Sequence, residues 1–144
     1  MKGLLSILCL SWALTGCQKP DMEDPEVFEE IASQAIAPTT LEAKRVKGLM
    51  VLCIPGTEKP FSGWVKENYD NGRLKRLGYL NEGAKDGLWT SWHENGEKQL
   101  EIRYKKDVLH GKTSSWHPNG QKKSAGNIRD GEMDGPWEEW YENG

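Results

Sequence analysis

The chain has 144 residues, of which 28% are charged and 36% hydrophobic, and its formal net charge is −3. This length fits one domain, and the near balance of charges argues against a broad nucleic-acid-binding surface, which needs a basic face. Three cysteines lying far apart are too few for a disulfide framework. Seven Trp and sixteen Gly beside only two Phe favour thin, turn-rich β-structure.

The N-terminal segment has the features of an export signal. Lys2 precedes an apolar run over residues 4–14, which is too short to span a bilayer but has the length of a signal-peptide hydrophobic region. The run leads into Leu14-Thr15-Gly16-Cys17, which resembles the lipobox of bacterial lipoproteins. This resemblance implies that residues 1–16 are a signal peptide and that Cys17 carries lipid after cleavage. The alternative is a buried N-terminal helix with an incidental cysteine.

The same resemblance implies a place in the cell. Lipid on Cys17 would anchor the protein to a membrane of the bacterial envelope, facing the periplasm or the exterior. Stable anchoring takes more than one acyl chain, which triacylated lipoproteins provide. Gln18 follows the cysteine, whereas Asp at this position favours retention in the inner membrane of enterobacteria. We therefore expect the outer membrane in a cell that has one.

Residues 17–47 are predicted to be a lipidated tether with a possible short helix. Asp24-Pro25 is typical of a helix start, with Asp as the N-cap and Pro at the first helical position. Apolar residues then recur at helical spacing as far as Pro38. Two readings stay open: an amphipathic helix over residues 25–37 that packs on the domain, or a flexible tether, because short isolated helices are unstable.

The β-domain is predicted over residues 48–144. It begins with Leu49–Ile54, an apolar run whose length and Val/Ile content favour a strand covered on both faces. Cys53 lies within this run, and a buried cysteine is usually an inert small hydrophobe.

From Gly63 onward the sequence repeats every 24 residues without insertion or deletion. The repeats start near Gly63, Gly87, Gly111 and Gly135, and Asn-Gly recurs at residues 71–72, 95–96, 119–120 and 143–144. Asn-Gly predicts hairpins with type I′ turns, in which both central residues have positive φ. A second turn is expected at residues 82–83, 106–107 and 130–131. The sequence therefore predicts an all-β fold, an antiparallel hairpin meander that grows by one hairpin per repeat.

Alternation along the strands places the aromatic side chains. Residues three apart in a strand point to opposite faces, so Trp89 and Trp92 are predicted to lie on opposite sides of the sheet. Contacts between neighbouring repeats are expected to stabilise the array. Residues 135–142 are predicted to form an edge strand, on which Glu138 and Glu139 discourage further pairing.

The segment Tyr79-Leu80-Asn81-Glu82-Gly83-Ala84-Lys85-Asp86-Gly87-Leu88-Trp89 is similar to the MORN repeat. Residues 104–111 and 128–137 are looser copies, and the resemblance extends over roughly residues 60–144. The wider pattern resembles the MORN-variant repeats of the YwqK-like antitoxin family. The resemblance implies a β-hairpin scaffold and, as one possible role, an immunity or antitoxin-like protein. Such repeats occur in unrelated proteins, so they define the fold better than the role.

The repeat accounts for the His and Glu residues that could otherwise indicate catalysis or metal binding. His93 and His117 occupy a position that is Tyr in the other repeats, and His110 precedes a repeat glycine where Asp otherwise stands. Glu94 and Glu142 share their position with a proline, which indicates a role in turn geometry. No nucleophile triad or phosphate-binding loop is present in the sequence. We therefore predict no enzymatic activity, no cofactor and no metal site.

A sheet that carries aromatic side chains is suited to recognition, because aromatic residues dominate binding hot spots. Four aromatic residues near the turns are the candidate partner-binding residues: Trp92, Trp140, Tyr69 and Tyr141. Trp89, Trp116 and Trp137 are at least as well explained as packing within the sheet. The leading hypothesis is a non-enzymatic, lipid-anchored envelope protein that binds a protein or glycan and no nucleic acid. The alternative is an immunity protein that neutralises a toxin.

Overall fold

The computed structural model describes residues 22 and 24–143, and it confirms a mainly antiparallel β-fold with one short helix. The predicted signal peptide, residues 1–16, and Cys17 lie outside the described residues. Within the described part, no helix is long and apolar enough to cross a membrane. The elements are helix α1 (Pro25–Gln34), a 3-10 helix (Pro38–Thr40) and strands β1 (Glu42–Val46), β2 (Leu49–Cys53), β3 (Gly63–Asn68), β4 (Leu74–Asn81), β5 (Ala84–Trp92), β6 (Lys98–Lys105), β7 (Val108–Leu109), β8 (Gly111–Trp116), β9 (Lys122–Arg129), β10 (Glu132–Met133) and β11 (Glu138–Glu139).

The repeats form the predicted antiparallel meander. Its strands follow chain order from β3 through β4, β5, β6, β8 and β9 to β10. β7 and β8 both pair with β6, and β10 and β11 both pair with β9, so each of these two lines is one strand interrupted near a repeat glycine. The edge strand predicted over residues 135–142 is shorter than predicted, since β11 comprises only Glu138 and Glu139. Separately, β1 and β2 form a two-stranded hairpin.

The Asn-Gly turns differ from the predicted type. At the first of them only Gly72 has positive φ, and its N–H donates to the Tyr69 carbonyl while the Tyr69 N–H donates to the Arg73 carbonyl. This is a three-residue loop, a type I turn followed by a left-handed glycine. The same bonds recur at residues 93–97 and 117–121. The type I′ prediction is wrong here because the loop has one residue more than a type I′ hairpin allows.

Type I′ turns are found at the opposite edge of the meander. There the loops have two residues, and both residues have positive φ, at 82–83, 106–107 and 130–131. The β1–β2 hairpin has the same turn at Lys47-Gly48. The two edges therefore alternate between three-residue and two-residue loops.

The asparagine of each Asn-Gly turn joins its own repeat to the next one. Its Oδ1 accepts the backbone N–H two residues later, which closes its own turn. Its Nδ2 reaches forward, from Asn95 to the Pro118 carbonyl at 2.7 Å and from Asn119 to the Glu142 carbonyl at 2.9 Å. A carboxylate has no N–H to donate, so only the amide can make both bonds.

The position before each Asn-Gly turn makes a parallel set of bonds. The Tyr69 hydroxyl donates to the Trp92 carbonyl at 2.8 Å. His93 and His117 each place Nε2 3.0 Å from the carbonyl of the residue 23 positions later, Trp116 and Trp140 respectively. A carbonyl only accepts, so Nε2 carries the proton in both rings. The two histidines therefore act as inter-repeat hydrogen-bond donors, beyond the spacer role that the sequence indicated.

One face of the sheet is built from side chains of alternating size. Cross-strand pairing places Val65 opposite Gly78, Trp89 opposite Ile102, and Thr113 opposite Gly126. The indole of Trp89 lies directly over Gly78, where an added Cβ would come 2.1 Å from Cδ2 of the ring. Trp137 covers Gly126 in the same way, at 2.2 Å from its Cε3. Each large ring thus occupies the space that a glycine leaves on the neighbouring strand.

The core lies on this face of the first repeats, under the β1–β2 hairpin. Val65, Leu80 and Trp89 form the buried cluster, and Leu52 of β2 packs against it. The Leu52 N–H donates to the Gly83 carbonyl, which joins the hairpin to a meander turn. β1 is part of the hairpin that covers this core, whereas its residues were predicted from the sequence to belong to the tether.

Helix α1 covers the opposite face, so the packed-helix reading is the one observed. Asp24 caps the helix as predicted, accepting from the N–H of Glu26 at 2.9 Å. Lys66 points away from the core face and donates to the Ala32 carbonyl of the helix. The Phe28 ring meets Trp92 edge-to-face, with centroids 5.7 Å apart. Trp92 therefore lies on the face opposite to Trp89, as predicted.

The prediction that β2 is covered on both faces is correct only at its C-terminal end. Cys53 is fully buried, but Leu49 is 70% and Met50 58% exposed. The hairpin is anchored at Leu52, while the residues next to its turn pack loosely, and Met50 borders an open cavity above the sheet.

Replacing Gly78 with Ala is expected to lower the free energy of unfolding by about 3 kcal/mol, because the new methyl group overlaps the Trp89 ring and forces the core to shift. Chemical denaturation monitored by far-UV circular dichroism measures the change. A Trp89→Leu background is the control, since removing the ring should make the same glycine replacement less costly. An equal cost in both backgrounds would contradict the overlap.

Replacing Asn95 with Asp is expected to destabilise the protein by about 1 kcal/mol, because the Oδ1 bond survives while the donor to the Pro118 carbonyl is lost. Asn68→Asp is the matched control: it makes the same change of charge at an exposed position outside the turns. Equal unfolding free energies for the two variants would argue against the inter-repeat bond.

Candidate partner-binding surface

The four candidate aromatic residues fall into two pairs. Tyr69 and Trp92 serve the packing of the first repeats: Tyr69 donates to the Trp92 carbonyl, and the Trp92 ring contacts Phe28. Lys75 adds a cation–π contact, with its ammonium 5.5 Å from the centre of the Tyr69 ring. Both side chains are only partly exposed, so this pair offers a partner little free aromatic surface.

Trp140 and Tyr141 lie at the other end of the meander, beside β9. Tyr141 is 85% exposed. Its counterparts Tyr69, His93 and His117 all donate to a carbonyl of the next repeat, whereas no hydrogen bond of the Tyr141 hydroxyl is found within residues 24–143. The polar end of its ring is therefore available to a partner.

A cavity of about 410 Å³ brings these two residues together with six others. Its lining combines indole and phenol rings with charges of both signs: His117, Lys123, Ser124, Trp137, Glu139, Trp140, Tyr141 and Glu142. Apolar surface with a few polar groups is typical of ligand and hot-spot sites. The structure thus brings two of the four candidates to one cavity, whereas the other two contact residues of α1 and the first repeats.

Lysines of one repeat cover tryptophans of the next. The Lys98 ammonium lies 5.3 Å from the centre of the Trp116 ring, and the Lys122 ammonium 5.4 Å from that of Trp140. Lys98 also pairs with Glu101. Each partly exposed cation–π contact stabilises the array by about 0.5–1 kcal/mol. Trp140 therefore borders the cavity with a lysine over its ring.

Six of the eight residues that line this cavity were not predicted as site residues from the sequence. Trp137 was assigned to packing, and it does cover Gly126, but the ring also lines the cavity. His117, which follows β8, and Lys123 of β9 also line the cavity, and neither repeat position indicates a binding site. Only Gly126, which is spaced two repeats from Gly78, could have indicated that Trp137 has a fixed place.

The histidines are each held by a local partner. His93 and His117 bond to carbonyls, and the Nδ1 atom of His110 lies 3.2 Å from Oδ1 of Asp130. In the described part of the chain, no group of three or more His, Cys, Asp or Glu side chains is arranged to hold a metal ion. Chemically, the cavity can stack on rings, exchange hydrogen bonds and pair charges.

Comparison with known proteins identifies the repeat. Residues 85–106, 109–130 and 133–144 match the family model described as the MORN repeat variant. The match covers the same hairpin units that the structure stacks from β5 onward. No curated protein and no solved structure matches the chain. These three segments are thus similar to MORN-variant repeats, which generally serve as modules for protein or membrane interaction.

Proposed function

We propose that this chain is a lipid-anchored protein of the bacterial envelope that acts as a non-enzymatic protein-binding module. The MORN-variant repeats carry the proposal, because repeats of this kind generally serve interactions. The cavity beside β9 supports it as the contact site, since it joins Trp137, Trp140 and the exposed Tyr141. The lipobox-like Leu14-Thr15-Gly16-Cys17 supports the anchor.

A second candidate is an immunity protein that neutralises a toxin, which the resemblance to the YwqK-like antitoxin family favours. The export signal argues against a cytosolic antitoxin but is compatible with a periplasmic one. The same cavity would then bind the toxin. The two candidates differ in the identity of the partner: a toxin encoded beside this protein favours immunity, and a resident envelope protein favours a scaffold.

Lipidation is tested by growing the producing cells with radiolabelled palmitate. The wild-type chain is expected to take up label, and Cys17→Ser is expected to abolish it because the acceptor thiol is lost. Cys53→Ala is the control and should keep the label, since Cys53 is fully buried. An unlabelled wild-type chain, or a labelled Cys17→Ser chain, would contradict the anchor.

The contact site is tested once a partner has been isolated from envelope fractions and purified. Trp140→Ala and Tyr141→Ala are each expected to raise its Kd about tenfold or more, because truncating a hot-spot aromatic costs more than about 1 kcal/mol. Isothermal titration calorimetry measures the affinity. Met133→Ala is the matched control, an apolar residue that is 72% exposed outside the cavity. If all three variants bind like wild type, the partner contacts another surface.

A further inference from the structure

We propose that the tip of the β1–β2 hairpin inserts into the interface of an anionic lipid membrane. The hairpin, Glu42–Cys53, precedes the residues that match the repeat family, so this contact is distinct from the repeats and from the cavity beside β9. It rests on the proposed function in one respect: an anchor on Cys17 would keep the domain beside a bilayer.

The apolar side chains at the tip are exposed on both faces of the hairpin. Leu49 and Met50 follow the Lys47-Gly48 turn directly and are 70% and 58% exposed. Consecutive strand residues point to opposite faces, so Met50 shares a face with Leu52, which turns to the core, and Leu49 points the other way. A partner protein docked on one face would cover one of them. A lipid interface surrounds the tip and covers both.

The charges at the tip match an anionic surface. Arg45 in β1 and Lys47 in the turn are exposed, and neither forms an ion pair within the described residues. Lys44 is already occupied, since its ammonium lies 2.9 Å from the Glu42 carboxylate and donates to the Thr57 carbonyl. The hydrogen bond to Glu42 raises the pKa of Lys44 above its usual value. Two free cations therefore stand beside two apolar side chains, the combination found in segments that bind anionic lipid.

The hairpin is fixed at its base and exposed at its tip. Its base is fixed by the bond from the Leu52 N–H to the Gly83 carbonyl and by the burial of Cys53. Leu49 is four strand positions beyond Cys53, or about 13 Å along the strand. The long side chains of Arg45 and Lys47 can lie along the tip with their charges at the headgroups while Leu49 and Met50 enter the acyl boundary.

A ligand beneath the hairpin or a second copy of the chain would shield different residues of the tip from water. A cavity of about 250 Å³ lies beneath the hairpin over Val65, Leu80 and Trp89, and Met50 borders it. A ligand bound there would cover Met50 and leave Leu49 in water. A second copy of the chain would cover the tip in the absence of lipid, and to an extent that depends on protein concentration.

The experiment places an environment-sensitive dye on the lipidated full-length protein in vesicles of phosphatidylcholine and phosphatidylglycerol that contain a nitroxide-labelled lipid. The dye is attached to Leu49→Cys or Met50→Cys, with Met133→Cys as the matched exposed control. Labelling is selective, since Cys53 is fully buried and Cys17 would carry lipid. We expect quenching at both tip positions to be several-fold greater than at the control.

The charge contribution is measured with residues 17–144 carrying Cys17→Ser, which lack both the lipid and the apolar run over residues 4–14, by partition onto the same vesicles. Arg45→Gln with Lys47→Gln is expected to lower the partition coefficient about 30-fold, since each cation contributes about fivefold near an anionic surface. Leu49→Ser with Met50→Ser should lower it on anionic and neutral vesicles alike, and Met133→Ser should leave it unchanged.

Three results would overturn the proposal: equal quenching at all three positions, quenching at Met50→Cys alone, or protection of the tip without vesicles that disappears on dilution. Failure of the anchor is read separately. If palmitate does not label the protein, the proposed function loses its anchor, and partition of the unlipidated chain still tests the hairpin. If label is present and the tip is not quenched, the hairpin proposal alone fails.

Discussion

Hydrogen bonds between side chains and carbonyls 23 residues later hold this structure in register. Each of the first three repeats contributes a Tyr or His donor to the next repeat. Asn95 and Asn119 contribute a second donor at the same edge of the sheet. A meander of strands alone would tolerate small shifts along the chain. These bonds recur with the 24-residue period of the sequence. They form only when neighbouring repeats pair in the correct register, so the strand register depends on a constant repeat length.

The single-layer sheet explains why Trp and Gly are abundant. A single sheet without a second full layer must bury apolar surface within its own thickness, and here the large rings do so by lying flat. Trp89 lies over Gly78 and Trp137 over Gly126, where no side chain competes for the space. Lysines also contact the rings of Trp116 and Trp140. Trp and Gly are therefore abundant together, because each glycine leaves the space that a tryptophan ring fills.

The packing also decides which aromatic residues are left for recognition. Near α1 and the β1–β2 hairpin, both faces of the sheet are covered. Tyr69 and Trp92 therefore make contacts within the protein. Beside β9 the faces are open, and Trp137, Trp140 and Tyr141 border a cavity. Residues that are equivalent in the repeat thus have different roles according to what lies next to them in the array.

The 24-residue period, the antiparallel meander, the alternate placement of Trp89 and Trp92 and the Asp24 cap follow from the sequence, because they depend on local spacing and on the alternation of strand residues. The loop type at Asn-Gly did not follow, since a dipeptide signal does not count the residues between paired strands. The cavity and the exposed tip at Leu49 and Met50 were decided by tertiary structure alone. Both depend on how far α1 and the β1–β2 hairpin extend over the sheet. These two elements are held there by contacts between residues distant in the chain.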